Sequence, residues 1–173
     1  MNNEGMEILL RPIEIKDATV LMELNNDREI AKFVVGTSKT VTIEEQLKWM
    51  TEVLVNEKTV RRWMIDVDGE AVGMVSLSSI DLKNGTCNMN IKLSPSCQGR
   101  GIARVALKKA CDIAFDEMNM ACLTAHILPY NEKSIKLFQK SGFKKDGVLR
   151  SRVVKDGARW DLFAFSLLRE ERL

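Results

Sequence analysis

Histidine occurs once in this chain, at His126, and the four cysteines, Cys87, Cys97, Cys111 and Cys122, form no Cys-x-x-Cys pair. A structural zinc site therefore has almost no ligand set to draw on, and no metal is expected. The cysteines read as reduced, mostly buried thiols, except Cys97, which stands beside a glycine turn. A cysteine nucleophile would want a histidine base, for which His126 is the lone candidate. Long apolar runs are also missing: none approaches the roughly 20 residues of a membrane helix, so no membrane partner is expected. The opening MNNEGMEILLRPI carries Glu4 and Glu7 ahead of a very short apolar run, the wrong charge order for a secretory signal, which points to a cytoplasmic protein. No block of one charge sign exists. The net charge is +2 with Lys and Arg interleaved among Asp and Glu, so nothing marks a nucleic-acid footprint.

With 173 residues, 45% hydrophobic and 29% charged, the chain can bury its own core. Residues 1–173 read as a single domain with 1–6 as a flexible start. Residues 8–13 read as a strand and 17–26 as a helix capped by Asp17. Thr42 and Glu45 form a capping box that opens a helix over 42–57, with Leu47, Met50, Val53 and Leu54 at helical spacing. Strand patterns at 60–67, 70–80 and 86–93, separated by Asp68-Gly69 and Asn84-Gly85, predict an antiparallel meander. A helix of about 18 residues follows, striped by Ala103, Leu107, Ala110, Ala114 and Met118. A strand over 121–128 ends at Pro129, a helix from Asn131 stops at Gly142, and a last hairpin turns at Lys155-Asp156-Gly157. One crossover helix between 86–93 and 121–128 makes those strands parallel neighbours. The expected fold class is mixed α/β: a mostly antiparallel central sheet with one parallel pair and helices on both faces.

Ligands gather at the carboxyl ends of strands in such sheets, and the turn SPSCQGRGIA, residues 94–103, lies there. A Walker loop would need Gly-Lys-Ser/Thr, which does not follow Gly99 or Gly101. A dinucleotide turn would need a third glycine where Arg104 stands. The run Gln98-Gly99-Arg100-Gly101-Ile102-Ala103 instead fits a coenzyme A pyrophosphate turn, Gln/Arg-x-x-Gly-x-Gly/Ala, whose backbone N–H groups point at phosphates. Charge agrees with this fit. The helix start carries Arg100, Arg104, Lys108 and Lys109, and its first acid is Asp112, an inversion of the usual preference that makes sense beside a bound polyanion.

With PYNEKSIKLFQKSGF downstream, in which Asn131, Ser134 and Gly142-Phe143 keep order and spacing, the chain resembles the GNAT acetyltransferase superfamily over about residues 8–168. Its closest-looking branch acetylates ribosomal-protein N-terminal amines, polyamines or amino sugars. The resemblance implies acetyl-CoA as cosubstrate, lying where the two parallel strands splay apart. Ile91 and Leu93 would pair with its pantetheine arm. Gln98, Gly99, Arg100, Gly101, Ile102 and Ala103 would hold its pyrophosphate, with Arg104 reaching a phosphate. Asn131, Ser134 and Phe138 would line the thioester end, although Asn131 also suits a helix cap and Ser134 a first-turn helix residue.

Transfer to an amine requires removing a proton from it, stabilising an oxyanion and protonating a departing thiolate. Relatives in this branch often carry Glu in the strand where Asn88 stands here, and Tyr where Phe138 stands. Ser134 is left as the group nearest the sulfur. The base is sought among Glu44, Glu45, Asp27, Asp161 and His126, or a water chain, and His126 has the side chain whose ordinary pKa suits neutral pH. The expected function is acetyl transfer from acetyl-CoA to a primary amine of a polyamine, amino sugar or protein N-terminus. The alternative is an acetyl-CoA-binding regulatory module without turnover. A homodimer through the C-terminal hairpin is a further expectation.

Overall fold

The structure, a computed structural model, describes residues 5–35, 39–55 and 59–172, without the side chains of Val53, Leu54 and Val55. Strands are β1 (Ile8–Pro12), β2 (Arg61–Val67), β3 (Glu70–Asp81), β4 (Thr86–Leu93), β5 (Cys122–Ile127), β6 (Lys144–Lys155) and β7 (Ala158–Leu168). Helices are α1 (Ala18–Asn26), α2 (Arg28–Ala31), α3 (Ile43–Val55), α4 (Ile102–Asp112) and α5 (Glu132–Lys140). All strands join one sheet in the order β1-β2-β3-β4-β5-β7-β6, and only β4 and β5 pair in parallel.

Turn chemistry explains the hairpins. Asp68 and Gly69 both have positive φ (53° and 89°), as do Asp156 and Gly157 (51° and 76°). Two left-handed residues in succession give the turn whose twist suits a two-residue hairpin. Period-two burial then separates the faces. On β2, Met64 packs with Leu21 of α1 and Met50 of α3, while its neighbour Ile65 packs with Ile102 and Ala106 of α4. The helices thus cover both faces, as expected. The larger core, with Leu107, Ala110, Phe115, Leu123, Ala125, Phe138 and Phe165, lies on the α4–α5 side. α4 runs on into a wider π-type turn at Ile113–Glu117, which completes the long helix read from the sequence.

All four cysteines are free thiols, and Cys87 and Cys111 are buried. Burial pushes Cys87 up to about 11 and Cys111 up to about 12, so neither supplies a thiolate at neutral pH. No helix among the described residues is long and apolar enough to cross a membrane.

Some expectations change in detail. Residues 1–4, the start of the expected flexible segment, lie outside the described residues, but Met6 packs against the cluster of Ile8, Ile65 and Ile102. The capping box is formed: Glu45 N donates to Thr42 Oγ1 at 3.2 Å, and Thr42 N to Glu45 Oε2 at 3.0 Å. α3 is described to Val55, while residues 56–58 lie outside the described set. Asp17 does not cap α1. Its carboxylate accepts instead from Glu14 N at 2.8 Å, closing the short 3-10 turn ahead of the helix, and binds Arg11 in a two-pronged pair at 2.7 and 2.8 Å.

That pair is the main polar tie of the first third. Arg11 also donates to Asp66 on β2 at 3.0 Å, and Asp17 and Asp66 are 2% and 7% exposed. One guanidinium thus joins β1, β2 and the entry to α1. Burial opposes the charge on Asp17, yet the hydrogen bonds from Arg11 and Glu14 N hold its carboxyl below the usual range. A depressed carboxylate pKa stabilises the fold above the unfolded value near ~3.9, and the contribution is lost as pH falls through the folded one. Replacing Arg11 by Met should cost about 3 kcal/mol by urea unfolding, because it strands two buried carboxylates. A loss under about 0.5 kcal/mol would show that the carboxylates are solvated instead.

Candidate active site

The parallel ladder between β4 and β5 is short. It joins Thr86 to Cys122, Cys87 to Leu123 and Asn88 to Thr124, and there it ends. β4 nevertheless stays paired with β3 as far as Leu93 opposite Gly73, and β5 with β7 as far as Ile127 opposite Phe163. The strands therefore part beyond Asn88 and Thr124, each held on its outer side only. Ile91 and Leu93 both lie on the diverging stretch of β4. Gly73 helps to place it, because a Cβ there would collide with the Lys92 carbonyl.

The glycine turn follows directly. Residues 95–97 form a 3-10 turn, Gly99 and Gly101 adopt φ of 77° and 79°, and Gly101 is the N-cap of α4. The backbone N–H groups of Gly99, Arg100, Gly101, Ile102 and Ala103 find no acceptor among the described residues. Such a concentration of free donors at a helix start is the geometry that suits an anion. No acid stands in the first turn of α4, and Arg100 and Arg104 are exposed around it. Gln98 braces the turn: its Nε2 donates to Leu93 O at 3.3 Å and its Oε1 accepts from Lys133 Nζ at 3.1 Å. Lys133 was not singled out from sequence. It lies 35 residues from Gln98, and only the docking of α5 brings its charge there.

α5 opens where β5 ends. Asn131 caps it, its Oδ1 accepting from Ser134 N at 3.2 Å, so the capping reading of Asn131 is realised. Ser134 is half-buried in the first turn, and its hydroxyl has no hydrogen bond among the described residues. Phe138 departs from expectation. Its ring is 2% exposed and packs edge-on against Phe143 at 4.9 Å, so it belongs to the core, not to a cofactor wall.

The opposite face of the parting strands is polar. Asn88, Asn90 and Lys92 alternate along β4 with buried Met89 and Leu93. Asn90 Nδ2 donates to Ser78 Oγ at 3.1 Å, Asn88 Nδ2 to Asn90 Oδ1 at 3.3 Å, and Thr124 Oγ1 to Cys87 O at 3.2 Å. None of these groups can take up a proton at neutral pH. Two adjoining clefts open here beneath α1 and α3. One of about 440 Å³ is lined by Asn25, Gln46, Trp49, Glu45, Glu52 and Lys92, and one of about 360 Å³ by Asn25, Arg62, Ser76, Asn90 and Lys92.

The carboxylates considered from sequence mostly have structural work. Asp27 caps α2 through Ile30 N at 2.8 Å, and Asp161 accepts from Ser151 N at 2.7 Å. Glu45 lines the larger cleft but is held by Thr42 N and by Lys39 at 2.9 Å, which lowers its pKa. Glu44 is lowered too, by backbone N–H and Thr42 hydroxyl bonds. His126 stands apart from them. Leu123, Ala125 and Ile127 of β5 are in the core, so His126 and Thr124 project to the other face, where the polar groups of β4 lie. No hydrogen bond joins His126 to Cys97, and no group of three or more potential ligands is placed to hold a metal among the described residues.

Comparison with known proteins agrees with this geometry. The acetyltransferase (GNAT) domain family matches residues 7–144. An N-acetyltransferase of Bacillus licheniformis, p20, is 32% identical over 95% of this chain and 94% of that protein. The spermidine N(1)-acetyltransferase of Escherichia coli K12 is 29% identical over 82% of this chain and 75% of that protein. Among solved structures, a spermidine N-acetyltransferase from Vibrio cholerae in complex with CoA and spermine superposes with a TM-score of 0.88 at 24% identity, covering 95% of this chain and 96% of that one. These likenesses make the chain an acetyl-CoA-dependent N-acetyltransferase, with acetyl-CoA as its cosubstrate. More narrowly, it belongs to the GNAT acetyltransferase family.

Partial burial, and then the charge of Arg152, lower the His126 pKa, so the imidazole is neutral at pH 7. As the only histidine, it gives one imidazole signal by NMR. That signal should titrate with a midpoint below the ordinary 6.5; a midpoint above 6.5 would mean a partner anion that this geometry does not contain.

Proposed function

We propose that the chain transfers the acetyl group directly to a primary amine in a ternary complex. The coenzyme arm lies between β4 and β5, and the amine enters from the α1–α3 face. The observation that carries this reading is the end of the β4–β5 ladder at Asn88 and Thr124, beside a turn whose five amides have no acceptor among the described residues. The backbone of Ile91 and Leu93 satisfies the pantetheine amides, and the amides of residues 99–103, with Gln98 bracing the turn, hold the pyrophosphate. Arg100, Arg104 and Lys133 supply the surrounding positive charge.

The chain's own groups then take up the amine proton at one end of the transfer and ease the departure of the sulfur at the other. His126 Nε2 or Nδ1 takes the proton lost by the attacking amine nitrogen, which forms the new N–C bond. Alternate N–H groups of β4 point away from β3 into the gap, where they meet the carbonyl oxygen as its charge builds. The Ser134 hydroxyl hydrogen-bonds to the sulfur as the C–S bond breaks and the sulfur leaves as the CoA thiolate. Asn131 orients this turn of α5 through its cap to Ser134 N. Phe138 has no proton to give and serves the reaction only by packing α5 onto the core. Two copies would associate along β6, an edge strand on which Val148 and Val154 are 45% and 59% exposed.

Isothermal calorimetry with CoA and a thiol-release assay test the two halves separately. Replacing Gly101 by Val forces a β-branched side chain into a left-handed backbone and crowds the free amides, so CoA should bind at least about 10-fold more weakly in a variant that is itself less stable and whose fold is checked by circular dichroism. Replacing His126 by Gln should lower kcat about 100-fold with the CoA binding heat retained. Tight CoA binding without thiol release from any amine would instead establish the regulatory-module reading.

A further inference from the structure

We infer that the acceptor amine carries an anionic group of its own, a carboxylate or a phosphate close to the amine, which is recognised by Lys92 with Asn25 and Gln46. This rests on the amine-acetylation reading and names its substrate class. Three side chains from three elements meet in the larger cleft, Lys92 of β4, Asn25 of α1 and Gln46 of α3, and Lys92 and Asn25 also line the adjoining one. Lys92 Nζ donates to Asn25 Oδ1 at 2.9 Å, and Asn25 Nδ2 donates to Gln46 Oε1 at 3.0 Å. The ammonium dictates the direction of this chain. It can only donate, so the Asn25 oxygen must face it, the Asn25 amide nitrogen must face Gln46, and the Gln46 oxygen must face Asn25. The orientation leaves Gln46 Nε2 at the far end.

Gln46 is 1% exposed, and its Nε2 is a buried side-chain donor with no hydrogen-bond partner among the described residues. Leaving such a group unmet is costly, and native structures rarely do so without a reason. At the near end, Lys92 is half-buried, its hydrogen bond is to an amide oxygen, and no carboxylate forms an ion pair with it among the described residues. Burial lowers its pKa, the mark of a cation short of countercharge. The relay therefore presents donors at both ends and no acceptor. A ligand that completes it must bring oxygen acceptors, and the buried ammonium favours one with negative charge.

The surrounding charge points the same way. The larger cleft is lined by Lys39, Lys48 and Lys92 against Glu45 and Glu52, and Lys39 already neutralises Glu45 at 2.9 Å. In the adjoining cleft Arg62 lies 5.1 Å over the Trp49 ring. A polycation would have to place ammonium groups beside Lys92 and Lys48 with Glu52 as the remaining cleft carboxylate. An amine with a nearby anion meets complementary charge at the floor and leaves its nitrogen toward the gap between β4 and β5.

The test is a thiol-release panel with acetyl-CoA and matched acceptors. These are free amino acids and their carboxamides, glucosamine and glucosamine 6-phosphate, aminoethanol and its phosphate monoester, and spermidine. The anionic member of a pair should be turned over at least about 10-fold more efficiently in kcat/KM than its neutral partner and than spermidine. Which pair shows the gap distinguishes carboxylate from phosphate. Lys92→Met and Gln46→Met should each narrow that gap, mainly through KM, and Lys92→Arg should retain most of it; circular dichroism and CoA calorimetry confirm that the variants are folded. Spermidine preferred over every anionic amine, or a gap untouched by Lys92→Met in a folded variant, overturns this inference and leaves amine acetylation standing. Absence of thiol release with every amine despite bound CoA overturns both.

Discussion

Everything functional in this fold follows from a ladder that stops. β4 and β5 share three rungs and then part, each kept straight by the partner on its other side. Two inner strand edges are thereby opened in the middle of a seven-stranded sheet. Inner edges cannot stay unpaired at no cost, since each carries amides and carbonyls that need partners. A ligand with amides along its length would restore the missing ladder. The crossover connection places α4 at the mouth of this gap, so its free amides lie where the same ligand would carry charge.

The electrostatics of α4 fit the same arrangement. A helix start with Arg100 and Arg104 and no acid opposes its own dipole. The i, i+4 pair of Lys108 with Asp112, 3.1 Å apart, offsets part of the crowding one turn later, but nothing among the described residues does so at the first turn. Lys133 adds another cation from α5, through Gln98. Three positive side chains around five free amides would be unfavourable in the absence of a polyanion, and a diphosphate removes the conflict.

The glycine turn and the start of α5 were legible in the sequence because they are local. The turn, its two glycines, the inverted charge and the Asn131 cap all lie within short stretches whose geometry is set by backbone φ and helix ends. The crossover between 86–93 and 121–128 likewise forced the parallel pair. Asp17 was misread for a physical reason: a short acidic residue before a helix caps equally well a 3-10 turn, and Arg11 decided between the two from six residues away. Phe138 was misplaced because position along α5 does not reveal which way the ring points, and Phe143 draws it inward. Lys92, Asn25 and Gln46 left no local signal at all. Each is an ordinary residue in its own element, and their meaning comes from meeting across separations such as the 67 residues between Lys92 and Asn25.

The acceptor side is assembled from even farther away. α2 is only four residues long, too short to hold its place by itself, and the C-terminal hairpin fastens it. Lys155, 7% exposed, donates to Ala31 O at 2.6 Å and Val34 O at 3.2 Å, meeting the carbonyls at the end of α2. Tyr130 donates to Lys32 O at 3.1 Å while its ring packs at 4.8 Å on Trp160 of β7. The cleft wall formed by Ile30, Ala31 and Val34 is thus positioned by Lys155, more than 120 residues downstream. The two halves of the site answer to different parts of the chain. The proposed coenzyme cradle is built by the β4–α4 turn, and the proposed acceptor cleft by long-range ties that can change its lining without disturbing that turn. The fold and the glycine turn can therefore stay as they are while the proposed acceptor floor carries a lysine that a polyamine would avoid.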